Sequence, residues 1–150
     1  MHEQVVTTSK AVLVVEDSAA QCELLNQALA EHGFDSDIHV EQGVAAAFSY
    51  LHHQIEHHTA LPRLILVDLK LTNGSGLDIV HYIRHHDRLH LIPVIILTSS
   101  DAHADIQTSY RAGANAYVVK PVAFEEFMHA VGHLGQFWAL LNEPPPAEAA

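Results

Sequence analysis

Short continuous apolar runs alternate with helical stripes along the chain. Val12–Val15, Leu64–Val67, Val94–Leu97 and Ala116–Val119 are apolar, mostly β-branched runs, and Ser36–Val40 is a weaker one. Strands buried on both faces read this way, because neither side alternates with water. After the first run, Ser18 is placed to cap a helix whose Leu24, Leu25, Ala28 and Leu29 share one face, and Gly33 is placed to end it. Val44, Phe48, Leu51 and Ile55 form a second stripe, and Leu77, Val80 and Ile83 a third. A fourth helix is expected over Ala104–Ala112, stopped by Gly113, and a last one over Ala123–Leu141.

A strand–helix repeat of this kind gives an α/β fold with a parallel sheet covered on both faces. With right-handed crossovers the expectation is a flavodoxin-like (βα)5 doubly wound sheet of strand order 2-1-3-4-5. Strands one and three are then neighbours, and the crevice past their carboxyl ends is where such sheets bind ligands. Polar residues stand at those ends: Glu16 and Asp17, Asp68, Thr98, and Lys120 followed by Pro121. Three carboxylates about 4 Å apart repel by roughly 4 kcal/mol per pair at intermediate dielectric. A hard divalent cation relieves this, and Mg²⁺ suits an all-oxygen donor set.

Composition narrows the alternatives. The chain has 150 residues, 49% hydrophobic and 17% charged, which is one folded domain's worth. Eighteen acids against 7 bases give a formal charge of −11, with no basic footprint for nucleic acid or an anionic membrane. The single Cys22 allows no internal disulfide, which suits a reducing compartment. Met1–Lys10 lacks an apolar leader core, no run is long enough to span a bilayer, and a cytoplasmic protein is expected. Residues 1–10 read as a flexible segment, 11–141 as the domain, and 142–150, with its prolines, as a disordered tail.

Over roughly Ala11–Leu141 the order Glu16-Asp17, Asp68, Thr98, Tyr117 and Lys120-Pro121 resembles the receiver domain of two-component response regulators. The resemblance implies that Asp68 accepts a phosphoryl group from a kinase phosphohistidine. It implies Mg²⁺ held by Asp17 and Asp68, by Glu16 directly or through water, and by the backbone carbonyl of Lys70. It further implies that Lys120 and Thr98 bind the phosphoryl oxygens, that Thr98 and Tyr117 form the switch, and that the bond before Pro121 is cis. Such a protein catalyses only its own phosphoryl transfer and dephosphorylation. The segments 105–121 and 124–141, together with the long stretch between the second and third strands, resemble, more narrowly, single-domain regulators paired with bacterial phytochrome histidine kinases, which implies a bacteriophytochrome donor and a homodimer. Phe137, Trp138, Leu140 and Leu141 extend the apolar stripe of Phe124, Phe127, Met128, Val131 and Leu134, and are the expected dimer surface. The downstream protein target is not specified by the sequence.

Other functions fit less well. A flavin carrier would need a glycine- and hydroxyl-rich phosphate loop where Glu16-Asp17 stands. An aspartyl phosphatase would need a second Asp where Lys70 stands. A non-phosphorylated pseudo-receiver scaffold or dimerisation module is the remaining alternative. His52, His53, His57, His58, His81 and His85 include i, i+4 pairs, but solvated helix faces account for them better than a metal site. Cys22 falls off the main stripe of its helix. Thr72 stands four residues after Asp68, where many relatives carry proline, so the loop there should differ in conformation. Lys70 places a cation beside the path of attacking water, and Lys70→Ala should change the decay rate of the phosphorylated Asp68, measured by loss of the phosphorylated mass over time.

Overall fold

The computed structural model describes residues 11–33 and 38–143. Five parallel strands form the main sheet: β1 (Val12–Val15), β2 (Ile38–Glu41), β3 (Leu64–Val67), β6 (Val94–Thr98) and β7 (Ala116–Val119). A short antiparallel hairpin, β4 (Lys70–Leu71) and β5 (Gly74–Ser75), lies outside it. The sheet order is β2-β1-β3-β6-β7, which is the expected 2-1-3-4-5 once the hairpin is set aside. The flanking helices are α1 (Ala19–Ala30), α2 (Val44–Glu56), α3 (Gly76–Arg84), α4 (His103–Ala112) and α5 (Phe124–Gly135). The expected start of the second strand, Ser36–Asp37, and the segments 1–10 and 144–150 fall outside the described residues.

The continuous apolar runs divide their residues between two cores. Leu13, Val15, Ile65, Val67, Val94 and Ile96 face α2 and α3, where Val44, Ala47, Leu51, Ile79, Val80 and Ile83 meet them. The alternate residues, Val12, Val14, Leu64, Leu66, Ile95 and Leu97, face α1 and α5, against Leu25, Ala28, Leu29, Phe127, Met128 and Val131. A period of two sends neighbours to opposite faces, so a strand buried on both sides has no polar position until it ends. That leaves polar chemistry to the residues just past the strands.

Sequence and structure differ at several points. Phe124, read as part of the covering stripe, is 52% exposed at the first turn of α5. The final helix is α-helical to Gly135 and then widens into a π-helical turn, Gln136–Leu141. Within that turn Trp138 packs against the α1–α5 core, whereas Phe137 and Leu141 are exposed. Leu140 belongs to the turn, and its side chain is outside the described set. Cys22 is buried rather than turned aside, and its thiol donates to the Glu16 carbonyl at 3.0 Å.

Several histidines have a structural use. The imidazole Nδ1 of His32 bonds the Ala28 carbonyl at 2.9 Å, His57 that of His53 at 2.9 Å, and His85 that of His81 at 2.8 Å. A carbonyl only accepts, so Nδ1 carries the proton in each case. Each ring stands just past the end of its helix and adds a donor to the last turn's carbonyls, and the His53 and His81 carbonyls also accept the backbone N–H of His57 and His85.

Arg84, the last residue of α3, is half-buried and donates to the carbonyls of His90, Ile92 and Gly113 at 3.0, 2.8 and 2.8 Å, and to Asn115 Oδ1. Gly113 ends α4 at φ 115°, and a Cβ there would stand 2.7 Å from the Arg84 side chain, so the left-handed turn and the arginine need each other. Arg84→Ala should lower the unfolding free energy by about 2–4 kcal/mol, because several acceptors lose a charged donor together. Arg84→Lys should recover less than half of that in urea denaturation, since one ammonium cannot reproduce the planar fork.

Candidate functional site

Three site residues are each fixed by one further ladder hydrogen bond past the end of a strand. Glu16 N–H donates to the Glu41 carbonyl at 3.2 Å, Asp68 N–H to that of Val15 at 3.1 Å, and Lys120 N–H to that of Thr98 at 2.7 Å. The sheet's carboxyl edge therefore sets their positions, as the topology requires. Gly76 completes the arrangement: its N–H donates to the Leu69 carbonyl at 2.9 Å, and a Cβ at this position would collide with the Asp68 carbonyl oxygen. Only glycine allows the loop to fold so closely behind Asp68.

The centre of the site is Lys120. Its Nζ lies 2.8 Å from Glu16 Oε2 and 2.8 Å from Asp68 Oδ2, with side-chain exposures of 11%, 4% and 12% for the three residues. Glu16 Oε1 accepts from Ser18 N–H at 3.2 Å, so both of its oxygens are engaged. Thr98 is buried at the end of the neighbouring strand β6, and its hydroxyl helps to hold the Asp68 carboxyl low. The Tyr117 ring is half-buried, packs against the α2–α3 core and donates its hydroxyl to the Ser100 carbonyl at 2.8 Å. Lys70 is exposed, and its N–H faces Asp68 Oδ1 at a long 3.4 Å.

The two central carboxylates titrate apart. Burial pushes the Glu16 carboxyl up, and the neighbouring Asp68 carboxyl pushes the same way, against the opposing pull of Lys120. Burial also acts to raise Asp68, but the neighbouring Glu16 carboxyl, the Lys120 hydrogen bond and the Lys120 charge hold it below the usual range. Burial acts to lower Lys120, yet its two carboxylate partners hold its pKa above the ordinary lysine value. At neutral pH the fold therefore keeps an ionised Asp68 against a charged Lys120.

Asp17 is not gathered with the others. Its Oδ2 accepts from both the N–H and the hydroxyl of Thr72, in the turn of the β4–β5 hairpin. Accordingly, no three acidic, histidine or cysteine side chains stand together as a finished metal cage among the described residues. The donor chemistry nonetheless fits Mg²⁺: the sheet edge carries Glu16, Asp17, Asp68 and the Lys70 backbone, all offering oxygen, and the hollow already holds a cationic group between two carboxylates. One expectation is corrected. No cis peptide bond occurs among the described residues, so the bond before Pro121 is trans. Lys120 reaches both carboxylates from that backbone, and the trans isomer is the one an X–Pro bond ordinarily prefers. Sequence reasoning also missed Ser18 and Ser100 as hydrogen-bond partners of the site, and Thr72, whose departure from proline was the available signal.

A family model for the response regulator receiver domain matches residues 12–132. The probable methanogenesis regulatory protein FilR2 of Methanothrix harundinacea is 32% identical over 89% of this chain and 86% of its own length. Response regulator Rcp1 of Synechocystis is 31% identical over 86% and 88%. Among solved structures, the phosphorylated cyanobacterial phytochrome response regulator RcpA aligns at TM-score 0.83 with 29% identity, over 92% of this chain and 99% of that one. The Mn²⁺-bound form of Rcp1 aligns at 0.81 with 29% identity, over 90% and 98%. The bacteriophytochrome response regulator RtBRR aligns at 0.70 with 41% identity, over 93% and 86%.

The raised Glu16 pKa has a sign that can be checked. Stability linked to Glu16 is fully present below 4.5, the value of an unperturbed glutamate, and is lost as pH rises through its higher folded value. In metal-free buffer at pH 7, Glu16→Gln should therefore melt above wild type, by about 2–4 °C, the shift that roughly 1 kcal/mol produces at this size. The difference should vanish below about pH 4.5, where the wild-type carboxyl is protonated in both states, as scanning calorimetry across pH would read. With its sheet order, its strand-end acids and lysine, and a family match across most of its length, the chain belongs to the response regulator receiver domain family.

Proposed function

We propose that this chain is a phosphoacceptor of a two-component relay, taking a phosphoryl group onto Asp68 from the phosphohistidine of a histidine kinase. The observation that carries the reading is the single ammonium of Lys120 bridging Glu16 and Asp68 at 2.8 Å each. Asp68 is thereby kept ionised and fixed, as an attacking oxygen needs. One of its oxygens forms the new O–P bond while the P–N bond to the kinase imidazole breaks, and the imidazole leaves with the electron pair. Once Asp68 is an acyl phosphate its own charge is gone, and Lys120 follows the charge to the phosphoryl oxygens. Thr98, buried at the end of the neighbouring strand, supplies a hydroxyl to the same group. Mg²⁺ held by Glu16, Asp17, Asp68 and the Lys70 carbonyl supplies charge neutralisation for the transfer when bound.

The similarity to RcpA and RtBRR, a phytochrome and a bacteriophytochrome response regulator, supports a bacteriophytochrome kinase as the donor. Output through a protein surface, with a homodimer formed around the exposed Phe137 and Leu141, fits the same reading. Beyond its own phosphorylation and dephosphorylation the chain needs no catalytic activity, and a cytoplasmic setting with a kinase suits it; no described helix is long and apolar enough to cross a membrane. Incubated with acetyl phosphate and Mg²⁺, wild type should gain one phosphoryl group by intact mass, and Asp68→Asn none. Lys120→Ala should be phosphorylated at least tenfold more slowly. A wild type that gains no mass with any phosphodonor would instead make it a pseudo-receiver.

A further inference from the structure

We infer that Thr72 is a latch on Asp17 Oδ2 and that a divalent cation taking this oxygen must open it, so that cation binding through Oδ2 and the conformation of the β4–β5 hairpin are one equilibrium; this rests on the phosphoacceptor reading. Thr72 gives two donors, its backbone N–H and its hydroxyl, and both go to the same oxygen, Asp17 Oδ2. A carboxylate oxygen has two lone pairs in plane, so this oxygen is saturated. A cation can coordinate there only by displacing at least one donor. The latch also explains why Asp17 stands apart while Glu16 and Asp68 converge on Lys120. Proline at position 72 would supply neither donor, so the chemistry belongs to this residue and not to the hairpin in general.

The contact joins residues 55 positions apart, and the turn that carries Thr72 is exposed. The hairpin is anchored at its base by Gly76 N–H on the Leu69 carbonyl and by the Lys70–Ser75 and Leu71–Gly74 pairing. Its tip is therefore free to swing once the two hydrogen bonds are released, while its base stays fixed behind Asp68. By linkage, whatever draws the tip away from Asp17 raises cation affinity, and a bound cation loosens the tip by the same factor. Thr72 acts as a positioning residue that sets how much Mg²⁺ the site requires.

Full-length wild type, Thr72→Val, Thr72→Ser and Asp17→Asn should be titrated with Mg²⁺ alone, by calorimetry and by amide chemical shifts. Valine keeps the shape and loses the hydroxyl, so Thr72→Val should bind Mg²⁺ about tenfold more tightly, the scale of one hydrogen bond to a charged acceptor. Thr72→Ser should match wild type, and the wild-type Thr72 amide proton should move upfield as Mg²⁺ saturates, having lost its carboxylate acceptor. If wild type binds Mg²⁺ with Asp17 required, but Thr72→Val binds equally or more weakly, the latch is overturned and the phosphoacceptor reading stands. If wild type shows no Mg²⁺-dependent heat or shift, both fall together.

Discussion

One ammonium group organises the carboxyl edge of this sheet. Lys120 is 104 positions from Glu16 and 52 from Asp68, and its Nζ meets both at hydrogen-bond distance. Without it, two largely buried carboxylates would face each other across the β1–β3 boundary, and burial would push both toward protonation. With it, the pair is held at one net negative charge. The hollow keeps a net negative charge and an ionised Asp68 oxygen. The backbone makes this contact possible, since each of the three residues hangs from one more ladder bond than its strand needs. Small shifts of a strand would misplace the charges, which is why the site is built on the sheet and not on loops.

The fold was legible because the strands are buried on both faces. A run such as Leu64–Val67 has no polar position to blur its limits, and its first polar successor, Asp68, marks the edge by itself. The two-core division of Val12–Val15 and its neighbours follows from the same pattern. Less of the detail could be read. The β4–β5 hairpin is a pair of two-residue strands around Thr72-Asn73, too short for periodicity to register, although Asn73-Gly74 is a turn signal. The widening of the last helix at Gln136 and the burial of Cys22 depend on what lies opposite, which no local pattern states. His32, whose ring crowds the space beside Gly132, shows the same dependence: its use as a helix cap needs the helix end to be known first.

The site residues were read as a set with one geometry, and here the sequence was least complete. Glu16, Asp68, Thr98 and Lys120 do converge, but Asp17 is drawn off by two donors on a residue chosen from a loop. Strand ends are positioned by the ladder, so their side chains can be placed from the topology alone. A residue one step further on, such as Asp17, is positioned by side-chain hydrogen bonding, and these partners come from 55 residues away. The trans bond before Pro121 makes the same point, because Lys120 is aimed by its carboxylates and by its N–H on Thr98.

The anchoring of the molecule is uneven in a way that suits signalling. Both faces of the sheet are well anchored: α2 and α3 on one, and α1 and α5 on the other, press several large apolar residues into the two cores. At the β7 edge, α4 buries the small Ser109, its Tyr110 is exposed, and Val119, Val122 and the first residue of α5, Phe124, are exposed as well. Elements with little buried apolar surface open at lower free-energy cost than the core. This edge is tied to the site by polar contacts: Lys120 N–H on the Thr98 carbonyl, Ser100 N–H near Thr98 Oγ1, and Tyr117 on the Ser100 carbonyl. A change of charge at Asp68 acts on Thr98 and Lys120 directly, and both lead to the segment that resists displacement least. The two packed faces hold the site residues in place, and the thinly packed edge is the part of the fold that yields to them at least cost.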